Sequence, residues 1–140
     1  QIDEIFLGLS WISPEYKNSS NEEIASILNI KSYLEEDNRP KMVITNYSFF
    51  SGILNENFFS PIRWFVENGV SHPLKGTQYF SEFRNFFIQI IKENKIKVIY
   101  TIKPVHASFI EEILGEKCVR TLNISKMLDA HKVLDCAKIE

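Results

Sequence analysis

Apolar positions along this chain fall into short β-branched runs separated by longer stretches with three- and four-residue spacing. Residues 5–12 are apolar and partly alternating, and they predict a first strand ended by Ser13 and Pro14. A polar run over 16–20 reads as a loop. Ser20 and Glu23 then form a capping box, in which each side chain satisfies a backbone N–H of the other residue. The box predicts a helix over 21–36 with Ile24, Ile27, Leu28 and Leu34 on one face, stopped by Asn38, Arg39 and Pro40. Residues 42–45 predict a short buried strand, followed by a helical turn over 49–54.

Thr77 is placed to cap a second long helix over 78–93. Its Tyr79, Phe80, Phe83, Phe86, Phe87, Ile90 and Ile91 form an aromatic stripe that reads as core. Lys92 suits the negative helix end, and Asn94 suits a left-handed terminus. Residues 96–102 give the clearest strand, and a helix over 107–114 closes at Gly115. A strand over 119–124 and a short helix over 125–131 complete the pattern. Strands alternating with helices predict an α/β fold: a three-layer, Rossmann-like single domain with a mainly parallel sheet of about four strands and right-handed crossovers.

Residues 57–76 carry neither a helical nor a strand period. A structureless loop of roughly 20 residues is uncommon in a compact domain unless it is functional or disordered. Phe58, Phe59, Trp64 and Phe65 supply the apolar area that disordered segments lack, so an ordered lid or recognition loop is expected.

In open parallel sheets ligands bind beyond the carboxyl ends of the strands. That rule gathers Asn46 and Tyr47 after the second strand, Lys103 and His106 after the third, and Arg63, Trp64, Asn68 and His72 on the loop. Two cations, an imidazole and an aromatic platform suit a phosphate or a sugar. Each residue also has a purely structural reading. His106 can cap the next helix or sit in solvent, and His72 before Pro73 is a turn residue. Arg63 can stack on an aromatic ring, and Asn68 with Gly69 is a turn dipeptide.

Composition narrows the partners. A net charge of −2 offers no basic field for nucleic acid. No apolar run approaches the ~20 residues that cross a bilayer. The chain has neither an initiator Met nor a signal peptide, which suggests a piece of a larger protein. Cys118 and Cys136 leave two readings open, a disulfide contributing about 3 kcal/mol or a pair of buried thiols. His131 is the only further metal ligand near them, so no metal is expected. Asn18, Asn46 and Asn123 each begin an Asn-x-Ser sequon, a pattern common by chance. Dinucleotide and triphosphate glycine loops and the nucleophile elbow are missing, and no cofactor is expected. The carboxylate pairs Glu22 and Glu23, Glu35 and Glu36, and Glu111 and Glu112 fall on helices as solvated faces.

Several passages together resemble the soluble C-terminal domain of bacterial multi-pass membrane glycosyltransferases that use polyprenyl-phosphate sugars. They are residues 41–47, 60–65, 73–80 and 95–100, with Cys118 and Cys136 beyond. The resemblance covers most of the chain from Ser20 onward. It implies an accessory domain on the extracytoplasmic side of the membrane, where a Cys118–Cys136 bridge persists. It also implies that catalysis resides in the membrane-embedded portion of the parent protein, and it transfers no catalytic residue to this chain. The implied partners are that membrane portion and a carbohydrate or lipid-linked sugar.

Three functions follow. The first is a non-catalytic accessory domain that holds acceptor, sugar donor or a neighbouring subunit. The second is a small self-contained Rossmann-like enzyme using His106, Lys103 or His72 on a phosphorylated or glycosylated substrate. The third is a protein-interaction module anchored by Trp64 and Phe65.

Overall fold

The computed structural model describes residues 20–66 and 69–138. The expected first strand over 5–12 and the candidate Asn68 lie outside them. The fold divides into two compact units, whose described parts are residues 20–38 with 49–56, and residues 39–48 with 57–66 and 69–138.

The first unit is helical. Helix α1 (Ser20–Glu36) begins at Ser20 and buries Ile27, Ile30 and Leu34, with Ile24 and Leu28 half-buried. A Lys31–Glu35 ion pair at 3.2 Å supports its surface one turn apart. The short helix α2 (Phe50–Leu54) buries Phe50 and ends at Asn55 in the left-handed conformation, which Asn tolerates better than most residues.

The second unit is built on a four-stranded sheet: β1 (Lys41–Ile44), β2 (Val98–Ile102), β3 (Val119–Asn123) and β4 (Leu128–Val133), in the order β1-β2-β4-β3. Strands β1 and β2 are parallel, joined by a crossover that contains helix α3 (Phe80–Glu93). Strand β4 lies antiparallel to both β2 and β3.

The expected mainly parallel sheet is therefore corrected to one parallel pairing and two antiparallel ones. Residues 125–131 are not a helix. Residues 124–127 turn the chain, with the Ile124 and Ser125 N–H groups donating to the Leu128 carbonyl, and β4 returns beside β3. A connection this short cannot carry a parallel crossover.

Met42, Ile44, Ile99, Val119 and Val133 share one sheet face. They form the core with Phe87, Ile88 and Ile91 of α3 and with Phe109, Ile110, Ile113 and Leu114 of helix α4 (Ser108–Leu114). The aromatic stripe on α3 thus divides: Phe87 is buried, Phe80 and Phe83 are half-buried, and Tyr79 and Phe86 are 63% and 50% exposed. Thr77 does not cap α3, because its hydroxyl donates to the Leu74 carbonyl at 2.6 Å. Lys95, rather than Asn94, takes the left-handed conformation after the helix. Cys118 and Cys136 pair at disulfide distance with Cα atoms 5.3 Å apart, tying the short turn Glu116–Cys118 to Asp135–Lys138.

Candidate functional site

The described parts of the long loop, 57–66 and 69–76, are held by hydrogen bonds to β1 and the residues after it, and by bonds within the loop. The Val43 N–H of β1 donates to the Phe58 carbonyl at 3.2 Å. Beyond the end of β1, Asn46 Oδ1 accepts the Phe65 N–H at 2.6 Å. Ser71 Oγ accepts the Val66 N–H and donates to the Val66 carbonyl, both at 2.9 Å, closing the loop's tip on itself. Gly69 lies within this closed segment at φ 75°, and a Cβ there would meet Leu74 at 3.0 Å. Glycine meets both conditions without strain.

These tethers drive Phe58, Ile62, Phe65 and His72 inward. The His72 ring stacks on Phe65 at 5.2 Å and meets the edge of Phe109 at 4.6 Å, with Phe83 at 6.1 Å. Its Nδ1 lies 3.0 Å from Ser71 Oγ. Since the Ser71 proton is directed at the Val66 carbonyl, Nδ1 is the nitrogen that carries hydrogen. Burial pushes the His72 pKa below its ordinary value, with Glu112 pulling weakly upward. His72, expected as a turn residue before Pro73, lies in a bend and is also buried as an aromatic pin for the loop.

Other candidates stay at the surface. Arg63 is exposed and the Trp64 ring is 62% exposed beside the buried Phe65. Trp64 and Phe65 are thus not a joint anchor: one faces solvent and the other fills the core. Lys103 and His106 follow β2 and are both exposed. They serve the backbone locally, the Lys103 N–H donating to the Met127 carbonyl at 2.9 Å and the His106 carbonyl accepting the Phe109 N–H at 3.1 Å. Tyr47 is half-buried, and its N–H donates to Thr45 Oγ1 at 2.9 Å. The structure therefore packs Phe65 and His72 against Phe109, with Asn46 tethering the Phe65 backbone, and leaves Arg63, Trp64, Lys103 and His106 outward.

A second polar constellation lies on the sheet. His131 is fully buried in β4. Its Nε2 lies 2.8 Å from Thr101 Oγ1 on β2, and its Nδ1 lies 2.9 Å from Thr121 Oγ1 on β3. Thr121 in turn donates to Glu111 Oε1 on α4 at 2.9 Å. A hydroxyl has one proton, and that of Thr121 is spent on the carboxylate. Thr121 must then accept from His131 Nδ1–H, which leaves Nε2 to accept from Thr101. Every donor in the chain points one way, from Thr101 through His131 and Thr121 to Glu111.

Burial holds the His131 pKa below its ordinary value, against the pull of Asp129 and then Glu111. Asp129 is itself engaged, accepting from Asn123 Nδ2 at 2.9 Å. The sequence reading missed this chain, since it weighed His131 only as a metal ligand. Its signal is a histidine and two threonines on neighbouring strands, but their register is needed to put them on one face.

Among the described residues no three His, Cys, Asp or Glu side chains converge as a metal site, and no helix is long and apolar enough to cross a membrane. No family model, curated protein or solved structure matches the chain.

Proposed function

We propose that this chain is a non-catalytic binding domain of a bacterial membrane glycosyltransferase, facing the extracytoplasmic side and holding acceptor, lipid-linked sugar or a neighbouring subunit. The observation that carries the reading is Trp64, an exposed ring on a loop fixed from beneath by Phe65, His72 and Asn46. A platform held rigid before binding loses little conformational entropy when a ligand stacks on it. Arg63 next to it supplies a cation for a phosphate. The Cys118–Cys136 pair supports an oxidising compartment. The reading includes a Rossmann-like, three-layer arrangement, for which the unit β1–α3–β2 is the support. It assigns no catalytic residue here.

A short-chain polyprenyl-phosphate hexose in detergent micelles is the direct test. Calorimetry should give saturable binding, Trp64→Ala should weaken it at least about tenfold, and no hexose should be transferred. Turnover by the isolated chain, or unchanged affinity in the variant, would overturn the proposal. The interaction-module reading has its own support in Val66, Val70 and Leu74, which share the loop with Trp64 and are 38–75% exposed.

A further inference from the structure

An open cleft of about 710 Å³ lies between the start of α3 and helix α4, within the size range of small-molecule sites. Its charged lining is Glu111, Glu112 and Glu116 with Lys75, Arg84 and Lys117. The chain from Thr101 through His131 and Thr121 ends in this cleft, on one oxygen of Glu111. The other oxygen, Oε2, makes no hydrogen bond or ion pair with a described residue.

Arg84 is likewise held in place, its Nε donating to the Ile113 carbonyl at 2.7 Å. One wall thus presents a carboxylate of fixed orientation, in a cleft that carries three cationic and three acidic side chains. An arrangement of that kind complements a ligand carrying both a positive and a negative group.

We propose that this cleft binds a small zwitterion, with Glu111 accepting hydrogen bonds from the ligand's ammonium group and Lys75, Arg84 and Lys117 facing its carboxylate or phosphate. Glu111 is the contacting residue. Thr121, His131 and Thr101 are positioning residues, and they act by the polarity of their hydrogen bonds. Thr121 spends its one proton on Oε1 of Glu111, which orients the carboxylate and leaves Oε2 to accept from a donor group of the ligand. The site is separate from Trp64 and stands or falls independently of the proposal made for that residue.

The test is a titration of isotope-labelled protein followed by its amide resonances, with glycine and glucosamine 6-phosphate as zwitterions and with acetate, inorganic phosphate and methylammonium as singly functional controls. Saturable shifts at Arg84, Glu111 and Lys117 are expected with a zwitterion and not with the controls. Saturation by glycine alone assigns the site to amino acids or peptide ends, and saturation by the sugar alone assigns it to amino-sugar phosphates.

Glu111→Gln should weaken binding about tenfold. Thr121→Val should weaken it at least about threefold in the wild-type background and not at all in the Glu111→Gln background. Thr121→Ser, which keeps the hydroxyl, should restore affinity and also guards against a folding defect in the valine variant. Absent shifts with both zwitterions, controls that bind equally well, or unchanged affinity in Glu111→Gln would overturn the site. Equal losses from Thr121→Val in both backgrounds, or no loss in either, would overturn the positioning role.

Discussion

His72 and His131 are both held neutral by burial, each against the weaker pull of nearby carboxylates. In the unfolded chain both rings take up a proton near the ordinary histidine value of about 6.5; in the folded protein they do so only at lower pH. The unfolded state therefore binds more protons through that window, and stability falls as pH drops. The contribution is fully present above about pH 6.5 and is lost as pH falls toward the folded values. Urea unfolding should accordingly give a lower free energy at pH 5.5 than at pH 7.5. His131→Gln should be less stable at pH 7.5 by about 1–3 kcal/mol, since it disturbs the buried bonds of Thr101 and Thr121. Its stability should also vary less across the interval. A wild-type curve that is flat, or that rises toward acid, would contradict the burial of these rings.

At the scale of the element, the loop over 57–76 turns its apolar residues into two classes. Phe65 is 5% exposed against His72 and Phe109, whereas Trp64 beside it is 62% exposed. Phe65→Ala should destabilise by about 3–5 kcal/mol through the cavity it leaves. Trp64→Ala should change stability by no more than about 0.5 kcal/mol. Thermal melts of the two variants check this, and comparable losses would mean that the loop does not divide its aromatics. Helices α1 and α3 were legible in the chain because apolar residues three and four apart mark one helical face whatever surrounds it. Strand β4 was not. Asp129, Ala130, His131 and Lys132 have no strand-like composition, and they are extended because β2 and β3 offer hydrogen-bonding edges on both sides. The same limit hid the direction of Trp64 and Phe65, since a loop has no period from which burial can be read.

At the scale of the whole molecule, the covalent tie between Cys118 and Cys136 closes a segment that contains all of β3 and β4. Replacing both cysteines by alanine should cost about 3 kcal/mol, mainly by releasing the unfolded chain. Denaturant midpoints of the oxidised protein and the double variant would measure it, and equal midpoints would mean that the pair is not bonded in solution. Composition and spacing determined that the chain is α/β, that apolar residues of the loop pack, and that no cofactor glycine loop is present, because these depend on local sequence. They placed Asn46 at the carboxyl end of β1, where the structure uses it to tether the loop. Tertiary structure alone decided that His72 is a buried pin, that the sheet is largely antiparallel, and that His131 links two threonines to Glu111. Those outcomes depend on partners distant in the chain, Phe109 for His72 and Thr101 and Thr121 for His131, which meet only when strand register and helix packing bring them together.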